Sequence, residues 1–430
     1  MRSKPPIADR LAGAVWGHLI GDAVGVPYEF GDPMPAKSVR FGASGAHGQP
    51  PGTWSDDGAL MLALLDSLLE KGFDSTDQAV RSLAWYRDGA YTPHNDGHFD
   101  IGGTTGRALR AFESGVPAEH AGPTDERSCG NGSLMRILPL ALVERDLSPE
   151  ELVDHAHRAS KVTHGHHRTQ VSCALYVLIA RRMVKGRSHR RTILNESRVE
   201  LRELYESGAF EPAYLAALDE LEGFSERSGD GYVLDSFWSA WDAFQRADSY
   251  EDSIKRAVAY GNDTDTTAAI AGGLAGLRWG IGGIPAKWLS RMRGRGIAEP
   301  IAKRLIETTF DDYTIYVIQL DEKVWKKPKM KKRNPNRRFD KPCVYVGYSF
   351  HTPEERYRQH MSGQNDSAMV RDYGLCLRED LYRNARVSHS PEKAQAMEAH
   401  WAGRLRRRGF GVWEGRLGPL GVVRKKDPDQ

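Results

Sequence analysis

The sequence has few of the features that extracellular and membrane proteins depend on. It contains only four cysteines in 430 residues, and no two of them form a C-x-x-C pair. This spacing argues against a disulfide framework and against a cysteine-based zinc cluster. No uninterrupted apolar stretch approaches the length of a membrane span, and no apolar segment of the signal-peptide kind follows the first residues. We therefore expect a protein of the reducing cytoplasm without a membrane partner.

Charge is unevenly divided along the chain. Residues 311–430 contain 25 Lys and Arg against 16 Asp and Glu, a net charge of +9, whereas residues 1–310 contain 35 against 41, a net charge of −6. The total length also exceeds what one compact core usually organises. Two domains with different partners are therefore predicted, 1–310 and 311–430.

Residues 1–310 lack a convincing run of alternating, strand-like residues, and their apolar residues recur at helical spacing instead. The clearest stripe follows residues 54–57 and consists of Leu60, Met61, Leu64, Leu65, Leu68 and Leu69. Further stripes span residues 11–20, 134–143, 171–183, 254–259 and 301–306. The segment TTAAIAGGLAGLRWG (266–280) adds Ala and Gly positions that allow helices to approach closely. A compact all-α domain of many helices is expected.

Residues 311–430 have a different pattern, which predicts an α+β domain. TIYVIQL (314–320) and CVYVGY (343–348) are typical of strands. Between them lies a basic segment, KKPKMKKRNPNRRFDK (326–341), which is expected to be a loop. PEERYRQH (353–360) and PEKAQAMEAHWAGRLRRRG (391–409) follow as helices, each with a proline in its first turn.

Two acidic segments, WSDD (54–57) and NDTDT (262–266), each stand at the start of an apolar helix. Helix N-capping explains one Ser, Thr or Asp at each start, but these segments supply more oxygens than two caps require. Concentrated carboxylates repel one another unless a cation neutralises them. Oxygen donors without His or Cys favour Mg²⁺ or Mn²⁺ over zinc. On the residues alone, capping and a metal site both remain open.

Six motifs follow one another along the first domain: GDAVGVPYE, WSDDGALM, FDIGGTT, GNGSLMRILPLAL, THGHH and GNDTDTTAAIAGGLAGLRWG. Over residues 8–310 their order resembles that of the ADP-ribosylglycohydrolase family. The resemblance implies an all-α fold with two Mg²⁺ ions, or Mn²⁺ as the alternative. It also implies hydrolysis of the glycosidic bond between ADP-ribose and a modified protein side chain or small-molecule acceptor. Gly58 departs from the pattern, since many members have threonine there, but this removes no expected ligand.

The resemblance also implies roles for individual residues. The implied metal ligands are Ser55, Asp56, Asp57, Asp263, Asp265 and Thr266. Glu29, in the position G-x-P-x-E, is the implied catalytic carboxylate, together with Asp56 and Asp265. The implied contacts with ADP-ribose are Asp22, Phe99, Asp100, Gly130, Asn131, Gly132 and His164. The Gly-Asn-Gly segment would precede a helix start that suits a pyrophosphate. Without the family, a turn explains Asp22 as well as a functional role does, and a plain glycine turn is the preferred explanation of the Gly-Asn-Gly segment.

Residues 313–415 resemble the GIY-YIG endonuclease superfamily, with TIYVIQL and VYVGYS in place of its two tyrosine strands. The resemblance maps the residues of a one-metal nuclease onto Tyr316, Tyr345, Arg356 (or Arg358), His360 and Glu398. The net charge of +9 suits a phosphate backbone. Thr314 replaces the first glycine, however, and a long basic loop separates the strands. Buried aromatic packing also explains both tyrosines, so nucleic-acid binding, cleavage and a structural role all remain open.

Two alternatives to the hydrolase remain at this stage. One is a non-catalytic ADP-ribose-binding or structural member of the same fold, and the other is a nuclease that acts through the second domain. All the carboxylates expected of the ligand set are present, which favours the hydrolase.

Overall fold

A computed structural model gives the fold and describes residues 5–93, 97–187, 189–308, 313–349, 352–362, 367–383, 385 and 391–414. The chain divides into two compact units, residues 1–306 and 307–430. Residues 311, 312 and 415–430 of the predicted second domain lie outside the described part. No helix of the described residues is long and apolar enough to cross a membrane. The four cysteines are free thiols.

The first unit is helical, as predicted. Its helices are α1 (Ile7–Gly25), α2 (Asp56–Lys71), α3 (Ser75–Asp88), α4 (Gly103–Glu113), α5 (Ala118–Ala121), α6 (Leu138–Val143), α7 (Pro149–Lys161), α8 (His167–Val184), α9 (Arg190–Glu206), α10 (Pro212–Gly223), α11 (Val233–Arg246), α12 (Tyr250–Val258), α13 (Thr264–Trp279), α14 (Ala286–Ser290) and α15 (Arg295–Glu307). One predicted stripe, 134–143, is wrong at its start, because α6 begins only at Leu138. Pro139 stands in the first turn of α6, the position in a helix where a missing N–H costs least.

Helices α1 and α13 pack backbone against backbone in the core of the first unit. Four glycines, every fourth residue of α1, form the contact face: Gly13, Gly17, Gly21 and Gly25. A Cβ at Gly17 would lie 2.4 Å from the carbonyl oxygen of Gly272, and one at Gly25 would lie 2.3 Å from Asp265 Cα. The close packing therefore fixes the first turn of α13, which carries Asp265, against the end of α1.

We expect Gly17→Ala to destabilise the protein by about 1–3 kcal/mol, the usual cost of overpacking a close contact. Gly223→Ala is the matched control, since Gly223 also lies in a helix but a Cβ there would meet nothing within 4 Å. The control should leave stability unchanged or slightly raised. Differential scanning calorimetry of both variants measures the effect. Equal melting temperatures for the two variants would contradict the packing argument.

The second unit has a four-stranded sheet with helices. Its strands are β1 (Thr314–Leu320), β2 (Cys343–Ser349), β3 (Gly374–Leu377) and β4 (Gly411–Glu414), in the order β3-β1-β2-β4. Strand β1 is antiparallel to β2 and β3, and β2 is parallel to β4. The helices are α16 (Pro328–Arg333), α17 (Pro353–Ser362), α18 (Ala368–Tyr373), α19 (Glu379–Tyr382) and α20 (Pro391–Arg407).

The loop predicted for residues 326–341 is partly wrong, because α16 (Pro328–Arg333) lies within it. Pro328 occupies the first turn, where its fixed φ favours a helix. Met330 is fully buried and anchors this basic helix to the core of the second unit. One apolar residue among lysines was too weak a pattern to predict a helix.

Candidate active site

The two acidic segments meet at the starts of α2 and α13. Thr266 Oγ1 donates a hydrogen bond to Asp57 Oδ2 at 3.2 Å, although the two residues are 209 positions apart. At the start of α2, the Ser55 side chain accepts a hydrogen bond from the Asp57 N–H at 3.3 Å and so caps the helix. Asp263 precedes α13, but its side chain makes no capping hydrogen bond. Capping therefore uses Ser55 and leaves the carboxylates for another purpose.

Two carboxylate oxygens in this cluster, Asp57 Oδ1 and Asp265 Oδ2, are buried without a hydrogen-bond partner. Oxygens of Glu29, Asp263 and Asp265 also lie within 4.8 Å of one another. A buried carboxylate oxygen without a donor is costly, and a cation is the partner that satisfies several at once. The donors are all oxygens, which fits a hard divalent cation such as Mg²⁺ or Mn²⁺.

Burial and mutual repulsion raise the pKa values of the clustered carboxyl groups. Burial, followed by the charge of a neighbouring carboxylate, raises the pKa of Asp56, Asp57 and Asp265 well above the usual range. Burial raises the pKa of Asp22 to about 7. Burial and then the charges of Asp100 and Asp263 raise the pKa of Glu29 to about 9. When ionised, these carboxylates repel one another, and bound protons or cations remove that repulsion.

The raised pKa values predict how stability depends on pH and metal. The folded state retains these protons above the usual carboxyl pKa of about 4. Proton binding by these carboxyl groups therefore stabilises the folded state. In EDTA, this stabilisation is fully present below about pH 4 and is lost as the pH rises through the pKa values of Asp22, about 7, and Glu29, about 9. Saturating Mg²⁺ should raise the melting temperature by about 5 °C at high pH and by less at low pH, where protons compete for the same oxygens. Thermal melts across this range measure the effect. Identical melts in EDTA and Mg²⁺ at high pH would contradict a metal site.

Asp22 lies beneath the cluster and holds the start of α2. Its carboxylate accepts hydrogen bonds from the N–H of Ser55 at 2.9 and 3.0 Å and from the N–H of Gly58 at 2.8 Å. It is fully buried and orients Ser55 through these bonds, while its contact with the substrate stays a prediction. Gly58 has no room for a side chain, since a Cβ would lie 2.7 Å from the Trp54 ring. The family's threonine is thus incompatible with Trp54 here.

A cleft of about 380 Å³ opens beside the cluster. Most of the predicted catalytic and binding residues line it: Glu29, Asp56, Asp100, Gly130, Asn131, Gly132, His164, Asp263 and Thr266. Phe99, Asp22, Ser55, Asp57 and Asp265 are not among the described residues that line it. For Asp57 and Asp265 this agrees with a place in the floor, since both are buried.

The Gly-Asn-Gly segment forms one wall of the cleft. Asn131 Nδ2 donates to Asp263 Oδ2 at 2.8 Å and to Ser236 Oγ at 2.9 Å, which fixes Asp263. A Cβ at Gly132 would lie 2.7 Å from His164 Cε1, so this position requires glycine. Burial, followed by the charges of Arg136 and Arg107, lowers the pKa of His164 to about 3. His164 is therefore a neutral wall residue.

The expected helix start behind Gly-Asn-Gly is wrong, because residues 132–136 form turns and α6 begins only at Leu138. Besides the acidic starts of α2 and α13, the N-terminus of α4 reaches the cleft through Gly103, Thr104 and Thr105. Free N–H groups and the helix dipole make such an end suitable for a phosphate. The sequence contains a signal for this helix start, the Gly-Gly-Thr-Thr of FDIGGTT. From the sequence, only the Phe and the Asp of that motif were given roles.

The structure adds one residue that the sequence motifs missed. His47 Nε2 contacts Glu29 Oε2 and lies 3.8 Å from Asp100 Oδ1. His47 belongs to a glycine-rich segment outside every motif. A single histidine in such a segment carries no pattern from which its contact with a carboxylate can be predicted.

The second unit has a separate cluster around β1 and β2. Tyr316 Oη and His360 Nε2 are 2.9 Å apart, and the Ser367 N–H donates to His360 Nδ1 at 3.0 Å. The rings of Tyr345 and His360 lie 5.9 Å apart. Burial, followed by the charge of Glu398, raises the pKa of Tyr345.

A cleft of about 610 Å³ beside this cluster is lined by Tyr345, Arg356 and His360, together with one lysine, one aspartate, two further aromatic residues and three small or apolar ones. Burial raises the pKa of Tyr316, and the guanidinium of Arg356 interacts with its hydroxyl. The structure thus brings together Tyr316, Tyr345, Arg356, His360 and Glu398. Gly347 lies on the neighbouring strand, where a Cβ would be 2.7 Å from the Tyr316 ring.

Comparisons with known proteins concern the first unit. A family profile described as ADP-ribosylglycohydrolase matches residues 3–314. ADP-ribosylarginine hydrolase Tri1 of Serratia proteamaculans is 28% identical over 298 residues, 66% of this chain and 75% of the relative. The ADP-ribosyl-[dinitrogen reductase] glycohydrolase of Rhodospirillum rubrum is 26% identical over 294 residues, 67% of this chain and 92% of the relative. A solved structure, an ADP-ribosylglycohydrolase-related protein complex, is similar with a TM-score of 0.57 and 31% identity, over 70% of this chain and 98% of that one.

Proposed function

The chain belongs to the ADP-ribosylglycohydrolase family, and from this premise we propose that its first unit is a metal-dependent enzyme that removes ADP-ribose from arginine side chains. The observation that carries the proposal is the pair of helix starts whose buried carboxylates, Asp57 and Asp265, have oxygens free for a cation. A non-catalytic binding protein has no need of such a costly cluster. A reducing cytoplasm is the proposed location, because it suits four free thiols.

The proposed ligands are the oxygens of Ser55, Asp56, Asp57, Asp263, Asp265 and Thr266. When bound, two divalent cations supply Lewis-acid stabilisation of developing negative charge. The Asp22 carboxylate accepts from the Ser55 N–H and holds Ser55 in place, and the side-chain amide of Asn131 donates to Asp263 Oδ2 and holds that carboxylate. Glu29 lines the cleft beside this floor, where its carboxyl group orients the water and stabilises an oxocarbenium-like state.

The proposed place of the pyrophosphate is the N-terminus of α4. Gly103, Thr104 and Thr105 line the cleft there, and their N–H groups have no partner within the helix. Gly132 and His164 line the cleft beside them, since a Cβ at Gly132 would lie 2.9 Å from Thr105 Oγ1. The same cleft therefore offers N–H donors to an anion and carboxylates to the cations.

The arginine linkage is proposed from two observations. One curated relative is named as an ADP-ribosylarginine hydrolase. The carboxyl group of Asp100 also lines the cleft, and a carboxylate attracts a cationic guanidinium leaving group. Serine-linked ADP-ribose offers no such charge.

A panel of defined conjugates tests the function. Arginine-linked and serine-linked ADP-ribosyl peptides are incubated with the protein and Mg²⁺, and released ADP-ribose is measured by chromatography. We expect the arginine conjugate to be cleaved at least about tenfold faster, which corresponds to roughly 1.4 kcal/mol of preference. Equal rates would contradict the linkage. No release from any conjugate would contradict the function.

We infer further that the second unit binds nucleic acid and resembles GIY-YIG nucleases at the cluster of Tyr316, Tyr345, Arg356, His360 and Glu398. The contact between Tyr316 and His360 at the edge of a cleft supports this proposal. The net charge of +9 for residues 311–430 supports attraction to phosphates.

Plasmid binding and nicking test the second unit. Wild-type protein and Glu398→Gln are incubated with supercoiled plasmid and Mg²⁺, and binding is followed by mobility shift at increasing salt. Nicking by the wild type alone supports a nuclease, and salt-sensitive binding without nicking supports a binding role. Nicking by both proteins would exclude this cluster, and no binding at low salt would exclude a nucleic-acid partner.

A further inference from the structure

His47 lies next to two phenyl rings and two carboxyl groups. Its ring centroid is 5.7 Å from that of Phe30 and 5.3 Å from that of Phe99. Its Nε2 contacts Glu29 Oε2 and lies 3.8 Å from Asp100 Oδ1. Glu29 and Asp100 line the cleft, whereas His47 is not among the described residues that do. The imidazole therefore contacts Glu29 and approaches Asp100 without lining the cleft itself.

The segment that carries His47 is built against the turn that carries Glu29. The Ala46 N–H donates to the carbonyl oxygen of Pro27 at 3.3 Å. A Cβ at Gly45 would lie only 1.5 Å from the same oxygen, so the two backbones touch there. Contacts between backbones fix a segment more firmly than contacts between long side chains. The position of His47 is thus determined by the chain around it.

The backbone of Glu29 is fixed from the opposite side. The Phe30 N–H donates to the carbonyl oxygen of Asn262 at 2.7 Å, and the Asn262 N–H donates to that of Gly31 at 2.9 Å. Phe30 and Asn262 both adopt left-handed φ angles, 61° and 56°. Such angles are rare for a bulky residue and persist only where the surroundings enforce them. These bonds hold the backbone of Glu29 next to Asp263. They do not orient the Glu29 carboxyl group, which therefore needs a hydrogen-bond partner of its own.

We propose that His47 is a positioning residue, which donates its Nε2–H to Glu29 and holds that carboxyl group in the orientation required for hydrolysis. The inference rests on the function proposed above for Glu29. Carboxyl groups as close as those of Glu29 and Asp100 repel each other when ionised. An N–H donor fixed between them by Phe30 and Phe99 sets their separation, so that Glu29 faces the cleft.

Three substitutions separate the hydrogen bond from the ring contacts. His47→Phe keeps an aromatic ring between Phe30 and Phe99 but removes the donor, and His47→Leu removes both. His47→Gln retains an N–H at a similar reach. His155→Phe is the matched control, since His155 also stacks on a phenyl ring, Phe73 at 3.8 Å, and hydrogen-bonds a carboxylate, Glu144 at 2.9 Å, away from the cleft.

We expect kcat for an arginine-linked conjugate to fall about 10- to 100-fold in His47→Phe and His47→Leu, as is usual when the partner that orients a functional group is lost. His47→Gln should retain most of the wild-type kcat, and His155→Phe should leave kcat unchanged. KM, and the affinity for ADP-ribose measured by calorimetry, should change little in all four variants, because His47 does not contact the ligand. A merely structural role would instead lower the melting temperature without rescue by glutamine.

A double-mutant cycle with Glu29→Gln separates this proposal from the function on which it rests. If His47 acts through Glu29, His47→Phe adds no further loss of kcat in the Glu29→Gln background. If the wild type is active and His47→Phe is equally active, the positioning role of His47 is overturned and the proposed function is not. Additive losses in the double mutant would also overturn the positioning role. A wild type that releases no ADP-ribose from any conjugate would overturn the proposed function and this inference with it.

Discussion

Asp265→Asn is expected to abolish the hydrolysis of ADP-ribosyl conjugates. Asp265 is buried in the first turn of α13, and its Oδ2 has no hydrogen-bond partner. Asparagine preserves the shape but removes a charge from the ligand set. Because a metal ion contributes several kcal/mol of transition-state stabilisation, kcat should fall by at least about 10³-fold. Steady-state release of ADP-ribose measures the loss.

Asp242→Asn is the matched control for this substitution. Asp242 is also buried in the first unit, but its carboxylate accepts a hydrogen bond from Tyr260 Oη at 2.6 Å, outside the cluster. The control should remain active and keep its stabilisation by Mg²⁺, whereas Asp265→Asn should lose both. An Asp265→Asn variant with a kcat within about tenfold of the wild type would remove Asp265 from the ligand set.

Glu29→Gln is expected to lower kcat by about 10²- to 10⁴-fold, the range of positioned acid–base groups. Glu29 lines the cleft, and burial and the neighbouring carboxylates raise its pKa. Such shifts are common among the acid–base groups of active sites. Its effect should differ in kind from that of Asp265→Asn. Because Glu29 is outside the six proposed ligands, the stabilisation by Mg²⁺ should persist. Glu144→Gln, which alters the carboxylate paired with His155, is the matched control.

A full loss of stabilisation by Mg²⁺ in Glu29→Gln would make Glu29 a ligand. The proximity of Glu29 to Asp263 and Asp265 makes this comparison informative. Thermal melts with EDTA and with Mg²⁺ therefore accompany the kinetics of both variants. A kcat equal to that of the wild type would contradict the catalytic role outright.

Local patterns in the sequence predicted the helical class of the first unit and several of its helices. The apolar stripe after WSDD predicted a helix there, and α2 spans Asp56–Lys71. Its cap was also predictable, because Ser at the N-cap has a local hydrogen-bond partner. The Ala and Gly positions of 266–280 predicted a helix that others approach closely, and α13 (Thr264–Trp279) is that helix. Such features depend on residues that are near in sequence.

Features that depend on long-range placement could not be predicted. The contact of His47 with Glu29 arises because Gly45 allows its segment to lie on Pro27, and no helical or strand period records that. The role of Asp22 beneath α2 is a second example, since its partners are the backbone N–H groups of Ser55 and Gly58. The meeting of the two acidic segments was implied only by the resemblance to a family.

The central claim is that the carboxylates at the starts of α2 and α13 hold divalent cations for the hydrolysis of an ADP-ribosyl bond. The most direct test measures ADP-ribose release from an arginine-linked conjugate by the wild-type protein, first in EDTA and then after excess Mg²⁺ is added. We predict no release above the uncatalysed background in EDTA and rapid release once Mg²⁺ is present. Equal release in both conditions, or none in either, would contradict the account.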